Sequence, residues 1–290
     1  MGLGSVVQKA MAGNGSLKKL IQTRYVSERV KLPLLHGGAL RASEFGDLCP
    51  REEVLVSMLK LVRKDERTAD KLMIFLHGSA LHWALQNHVL PDVGALIGRW
   101  TCLDCGAAYG DGSNVPASLV PRPKKCKKCE GKDFHYRELE LFNEEYKIGG
   151  HPDGFLIIPG LPGVGVVEGK SIMKGWEVKN CPILAHVIQA QIYMWFTGLL
   201  WSKIIYWEKG VNGLDALIEH HVERDEETIA SIKQQIKKIW ACLEHGTLPD
   251  RICVNAKAPR AGKCSVGKQC FADVPELPEG TDPSPTEYPF

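Results

Sequence analysis

Asp153, Glu168 and Lys170 have the residue types and the spacing for metal-assisted hydrolysis of a phosphodiester. They fall in GGHPDGFLIIPGLPGVGVVEGKS, residues 149–171. Tyr146 to Ile158, carrying Ile148, Phe155, Ile157 and Ile158, reads as one strand. Pro159, Gly160, Pro162, Gly163 and Gly165 crowd a turn, and Val164 to Lys170 reads as the returning strand of a hairpin. Side chains alternate across a strand, so Glu168 and Lys170 project from one face, where Asp153 on the partner strand can join them. Paired carboxylates suit Mg²⁺ or Mn²⁺, which takes oxygen ligands, lowers the pKa of a bound water and neutralises charge developing on a phosphate. Lys170 is then placed to orient or help deprotonate that water. Taken singly, Asp153 or Glu168 is also an ordinary surface charge of a hairpin.

The hairpin needs a scaffold, and the composition supplies one. At 290 residues and 44% hydrophobic composition the chain can pack one large domain or two small ones. The formal net charge of +2 leaves any affinity for nucleic acid to local patches. No apolar run reaches the roughly 18 residues that argue a membrane span, and the N-terminus has no secretory core, so the expected location is the cytoplasm, with no membrane partner. Ten cysteines in a reducing compartment point to metal binding rather than to disulfides.

Residues 1–31 hold Lys9, Lys18, Lys19, Arg24, Arg29 and Lys31 against Glu28 alone. This reads as an arm or a loosely docked helix, either a contact to DNA phosphates or a solvated leader. Ser43 precedes a helical pattern with Leu48, Val54, Leu55, Met58, Leu59 and Val62. A second helix is expected over 68–90, with Leu72, Phe75, Leu76, Leu81, Leu85 and Val89 facing the core and Gly78 open to a close backbone approach. His82 on it reads, by itself, as structural, and so do His77 and His88. Beyond the hairpin, Pro182 opens a helix to about Leu200, on which Gln189 and Tyr193 lie four apart on one face. Lys203 to Glu208 reads as a strand. A capped helix then runs from Asp225 to Gly246 with an Ile229, Ile232, Ile236, Ile239 and Trp240 stripe and Cys242 as a buried apolar residue.

Cys102-x-x-Cys105 and Cys126-x-x-Cys129, with twenty residues between, fit a closed tetrahedral Cys₄ zinc site of structural type. Two redox dithiols are the other reading, and neither pair opens a helix of thioredoxin type. Around the second knuckle Arg122, Lys124, Lys125, Lys127, Lys128 and Lys132 face Glu130, which suits a grip on a nucleic-acid backbone or a solvated face. Cys181 has no matching partner. From Phe271 on, five prolines and five acidic residues with no Lys or Arg predict a disordered tail.

Pro152-Asp153 followed by Glu168-Gly169-Lys170 resembles the signature of the PD-(D/E)XK nuclease superfamily. Gln189-Ala190-Gln191-Ile192-Tyr193 resembles the QxxxY motif of its RecB-like branch, and Gly78 to His82 resembles that branch's GxxxH helix. Ser43-Glu44 with Cys49-Pro50-Arg51 is similar to the first helix of the iron-sulfur members, among them CRISPR-associated and AddB-type nuclease domains. The resemblance implies that His82, Asp153, Glu168 and the carbonyl of Gly169 bind Mg²⁺ or Mn²⁺, that Lys170 positions the attacking water, and that Gln189 and Tyr193 hold the substrate strand or the water. It further implies a 4Fe-4S cluster on Cys49, Cys253, Cys264 and Cys270, although ten residues separate Cys253 from Cys264 where the branch usually has CxxC. A second zinc or free thiols are the other readings of these four. Glu287-Tyr288-Pro289-Phe290 resembles the acidic tips of single-stranded-DNA-binding proteins that recruit replication partners; a plain solubilising tail is the other reading.

The expected fold is α/β: a restriction-endonuclease-like mixed central sheet flanked by helices, with a zinc-knuckle insertion. The expected organisation is a basic arm over 1–40, a nuclease domain over 41–271 and an acidic, proline-rich tail over 272–290. Within the domain, 100–135 is the insertion and 250–271 a cysteine-rich lobe. The expected function is a metal-dependent DNA exonuclease of phage or prokaryotic recombination, replication or repair, with DNA and replication or recombination proteins as partners. The alternatives are a structure-specific endonuclease of the same superfamily and a non-catalytic, zinc-containing nucleic-acid-binding module.

Overall fold

The computed structural model describes residues 27–31, 34, 37–112, 117–173 and 177–272. Most of the basic arm and the acidic tail lie outside the described residues. The architecture is a mixed α/β sheet flanked by helices, with a cysteine-bearing insertion at one end, as the sequence predicts.

Strands β1 (Ser27–Lys31), β2 (Leu40–Arg41) and β3 (Arg63–Arg67) precede the main sheet. That sheet is built on β4 (Leu96–Cys102), β10 (Gly154–Leu156), β11 (Gly165–Met173), β12 (Trp201–Lys209) and β13 (Leu217–Glu223). Its order is β13-β12-β11-β10-β4, continued into the insertion by β5 (Ala108–Tyr109), β6 (Val120–Pro121) and β7 (Phe134–Arg137), all three of which pair with β4. β10 and β11 are antiparallel, with Gly154 opposite Val167, and β11 and β12 are parallel, with Glu168 opposite Ile204. A parallel pair needs a crossover, and the chain from Leu184 to Thr197 supplies it as a helix. Val166, Val167 and Ile172 on β11 and Ile204, Ile205 and Tyr206 on β12 are buried, as expected of strands covered on both faces.

The expected first strand of the hairpin is corrected. It breaks into β9 (Ile148–Gly150) and β10, and β9 belongs to a separate three-stranded sheet with β2 and β8 (Leu141–Asn143). Pro152 between them has no N–H to give a ladder, which lets the chain change sheets there. The single helix expected after Ser43 is likewise two: α1 (Ala42–Phe45) and α2 (Pro50–Met58), the second opened by Pro50 at its first position. Met58, Leu59 and Val62 are exposed rather than core-facing. Ser27–Lys31, expected in an arm or docked helix, is a strand whose backbone is satisfied by antiparallel pairing with β3.

Helix α3 (Ala69–Ala84) starts at Thr68, whose hydroxyl accepts from the Lys71 N–H, and passes into a π-helical turn over Leu85–Val89. Its expected core face is corrected: Phe75, Leu76 and Val89 are exposed, while Leu85 is buried. The helix stands on the surface, and Gly78 faces the Ser171 side chain on β11 rather than another backbone. After a short turn over Leu90–Asp92, counted as α4, the crossover helix α5 (Leu184–Thr197) ends at Gly198, whose φ of 73° is the left-handed conformation that glycine adopts without strain. Helix α6 (Glu226–His245) is capped by Asp225, which accepts from the Glu227 N–H at 3.0 Å, and ends at Gly246. Its Ile229, Ile232, Ile236 and Ile239 stripe and Cys242 are buried as the 3.6-residue period predicts. Each such isoleucine contributes about 1.5–3 kcal/mol by leaving water.

Short helices α7 (Pro259–Lys263) and α8 (Gly267–Phe271) close the C-terminal lobe, where Val266 is buried against Leu55 and Val56 of α2. No described helix is long and apolar enough to cross a membrane.

Candidate active site

Asp153 sits just before β10, Glu168 and Lys170 lie on β11, and Gln189 and Tyr193 lie on α5, which packs across that face of the sheet. Side-chain alternation on β11 puts Glu168 and Lys170 together, and Lys170 Nζ donates to Glu168 Oε1 at 2.5 Å. Gln189 bridges the pair: its Nε2 donates to the same Oε1 at 2.7 Å while its Oε1 accepts from Lys170 Nζ at 3.0 Å. Gln189 Nε2 also lies 3.3 Å from the Tyr193 hydroxyl, which donates to the carbonyl of His151. The other carboxylate oxygen, Glu168 Oε2, is buried with no partner.

Asp153 is held from two sides. The Gly169 N–H donates to its Oδ2 at 2.7 Å across the β10–β11 pair, and His82 Nδ1 lies 3.2 Å from its Oδ1. Gln86 matches no motif in the sequence, yet it is buried in the π-helical turn and donates to the Asp153 carbonyl at 2.9 Å and to Glu138 at 2.8 Å. His82 and Gln86 lie four apart on one helix face, and both reach the same aspartate. A π-turn often marks a functional position, but nothing in the 3.6-residue periodicity of this stretch shows it.

The electrostatics follow from burial. Desolvation raises the pKa of Glu168 above the usual carboxylate range, the Asp153 charge adds to this, and Lys170 opposes it. For Lys170 burial works downward, but the Glu168 and Asp153 charges outweigh it and the net shift is upward. The Asp153 hydrogen bond raises His82 against the effect of burial. Burial, with the Glu168 charge added, holds the Tyr193 phenol well above its ordinary value, so it acts as a neutral hydroxyl. These residues line a cleft of about 660 Å³ between β11, α5 and the three-stranded sheet. His77 and His88 are exposed, and His88 packs edge-on against Trp83 at 4.8 Å.

The four cysteines of the insertion converge. Cys102 at the end of β4 and Cys105, Cys126 and Cys129 in the following turns have ligand atoms all within 4.8 Å of one another, a group able to hold a metal ion. The Cys102–Cys129 and Cys105–Cys126 sulfurs are each 3.6 Å apart. That excludes disulfides, at about 2.05 Å, and approaches the roughly 3.8 Å edge of a tetrahedron built on metal–sulfur bonds of about 2.3 Å. The Tyr109 hydroxyl donates to Cys126 Sγ at 3.2 Å and, with backbone N–H groups, lowers that thiol's pKa, whereas hydrogen bonds from the neighbouring thiols raise that of Cys129. Beneath lies a core of Trp100, Phe134 and Tyr136. Of the basic residues around the second knuckle, Arg122 is committed to Asp92 and the Asn87 carbonyl, and Lys125 pairs with Glu130, while Lys124, Lys127, Lys128 and Lys132 are exposed.

Cys49, at the start of α2, and Cys253, Cys264 and Cys270 of the C-terminal lobe line one small pocket. They are not drawn together as tightly as the insertion's four thiols, whose grouping is of the single-ion kind. Burial raises the pKa of Cys49, Cys253 and Cys264, the last to about 11. Cys181 is exposed and Cys242 is buried on α6.

No family model matches the chain, and no curated protein does. Among solved structures it is similar to an alkaline exonuclease (LHK-Exo) from Laribacter hongkongensis, 14% identical over 72% of this chain and 89% of that one at a TM-score of 0.41. LHK-Exo in complex with dAMP gives 15% identity over the same shares and a TM-score of 0.43. SSO0001 gives 14% identity over 90% of this chain and 99% of that one, also at a TM-score of 0.43.

Proposed function

We propose that this chain is a metal-dependent deoxyribonuclease of PD-(D/E)XK type that degrades DNA from an end. The observation that carries the reading is the convergence of Asp153, Glu168 and Lys170 on one cleft with a buried Glu168 oxygen left over. A buried carboxylate oxygen with no donor is costly unless a cation meets it. The donor set of two carboxylates, a peptide carbonyl at Gly169 and the His82 imidazole fits Mg²⁺ or Mn²⁺. When bound, the ion supplies charge neutralisation at the phosphate and a water of lowered pKa.

The protein's own groups do the rest. Lys170, locked by Glu168 and Gln189, presents its ammonium to the attacking water and to the developing negative charge. Gln189 fixes both partners at once, and the Tyr193 hydroxyl accepts from the same Gln189 Nε2 that donates to Glu168, so rotamer freedom is removed before substrate arrives. Gln86 holds the Asp153 backbone, leaving the carboxylate to its ligand role.

In the same reading Cys102, Cys105, Cys126 and Cys129 hold a structural zinc that shapes 100–135, and Cys49, Cys253, Cys264 and Cys270 hold a 4Fe-4S cluster that ties the C-terminal lobe to α2. The deciding experiment incubates metal-reconstituted protein with end-labelled linear DNA and with circular DNA, in Mn²⁺ or in EDTA. Metal-dependent shortening of the linear DNA alone is expected. Nicking of the circle replaces the exonuclease with an endonuclease, and no cleavage of either removes the catalytic assignment.

A further inference from the structure

The three-stranded sheet at the mouth of the cleft carries a row that the chemistry above does not use. Arg41 on β2 stands opposite Gly149 on β9, and Gly149 stands opposite Phe142 on β8. Residues in register across adjacent strands share a face, so these three form one transverse row, and all three line the catalytic cleft. The neighbouring row points the other way and is core: Leu40 and Ile148 are buried.

Phe142 is 45% exposed, unusual for a phenylalanine beside an active site. Its ring leans over the middle glycine, since a Cβ on Gly149 would come within 2.6 Å of Phe142 Cδ2. On the far side the Arg41 guanidinium makes no hydrogen bond or ion pair with the described residues, whereas Lys31, also in the cleft, is paired with Glu44 at 2.6 Å. Glu140 is exposed on the same rim and disfavours a phosphate on the Phe142 side. The row is therefore an aromatic ring laid over a glycine, its other face open to the cleft, and beyond it a free planar cation.

We propose that Phe142, Gly149 and Arg41 form a shelf that takes one unpaired base and its phosphate, so that the cleft is fed by single-stranded DNA or a frayed end. This rests on the nuclease reading and names the substrate class of that site. A base stacks on the Phe142 face only when it has left its duplex neighbours, because both faces of a paired base are otherwise covered. Arg41 meets the adjacent phosphate. Gly149 lets the Phe142 ring lie across the sheet, because any side chain there would strike that ring or the Leu141 carbonyl.

The test is equilibrium binding, in EDTA so that nothing is cleaved, of a fluorescent single-stranded oligonucleotide and of a blunt hairpin duplex. Wild type is expected to prefer the single strand. Phe142→Leu keeps an apolar side chain over Gly149 but cannot stack, and should weaken single-strand binding about 5- to 150-fold, the range of one lost base–aromatic stack. Phe142→Tyr should retain it. Arg41→Ala should weaken binding and lower the slope of log affinity against log salt by about one, and Arg41→Lys should restore the slope. Wild-type affinity in both Phe142→Leu and Arg41→Ala, or a preference for the blunt duplex, overturns the shelf while leaving the nuclease reading intact. A wild-type protein that binds neither DNA overturns the shelf, and the nuclease reading falls with it only if the same protein cleaves neither DNA in Mn²⁺.

Discussion

Lys170 Nζ and Glu168 Oε1 lie 2.5 Å apart, and the second oxygen of the same carboxylate is buried without a partner. One oxygen of this carboxylate locks the lysine, and under the proposed function the other is the one that would meet the cation. Lys170→Ala and Glu168→Gln should each reduce cleavage of end-labelled DNA by about 10²- to 10⁴-fold, the usual contribution of a positioned proton-handling group. Circular dichroism should find both variants folded. Turnover within a factor of a few of wild type in either would remove these residues from the chemistry.

Metal affinity should climb with pH. Burial raises Glu168 above its ordinary 4.5, and the Asp153 hydrogen bond raises His82 above 6.5, yet both must be unprotonated to act as ligands. An acid whose folded pKa is raised favours the fold below its unfolded value and loses that contribution as pH rises through the folded value. The metal-free protein should therefore lose stability as pH rises above 4.5, and added Mn²⁺ should restore more of it at pH 8 than at pH 6. Thermal melts with and without Mn²⁺ check this. Glu168→Gln should flatten the difference, and a metal-induced gain in Tm that does not vary with pH refutes the ligand set.

Replacing Cys126 or Cys129 by Ser should cost one zinc per chain and open the insertion to protease between 103 and 133. Closed thiolate sites couple metal binding to local folding, and the Trp100 and Tyr136 core lies directly beneath. The α5 and α6 core should survive, because it is a separate cluster. Elemental analysis of protein purified without chelator, with digestion of the variants, measures both halves.

Anaerobically purified protein should contain iron in addition to zinc, and Cys49→Ser should abolish the iron alone. Cys49 lies at the start of α2 while the other three thiols of its pocket come from the chain's far end, so a cluster there closes a long loop. Two zinc ions and no iron would assign the pocket to a second zinc instead.

How much of this was readable in the sequence depends on whether the signal is local. Asp153 just before β10, Glu168 and Lys170 on β11, and Gln189 and Tyr193 on α5 carry their meaning in short spacings, and the structure brings them together in one cleft. The insertion's cysteines and the Asp225-capped helix are equally local patterns. The sheet change at Pro152 was missed because continuous apolar residues on either side conceal a break that depends on which partner strand is available. The exposed flank of α3 carries a core-like apolar pattern, because an apolar residue in a helix says nothing about what lies opposite it. Gln86 and the row through Arg41, Gly149 and Phe142 depend on long-range register, which no single stretch encodes.

A pairing scheme in which β4 accepts β5, β6 and β7 also decides what happens at the borders of the main sheet. At one border β13 presents Glu219, His220, His221 and Glu223, charged or ionisable groups of the kind that discourage a foreign strand from adding. The other border has no comparable run of charge. It is protected by the short strands of the insertion, two of which depend on turns tied by thiolates. In the zinc reading, stripping the metal would uncover the Leu96–Cys102 strand with free backbone donors, so chelation should drive this protein toward self-association before it drives it toward unfolding.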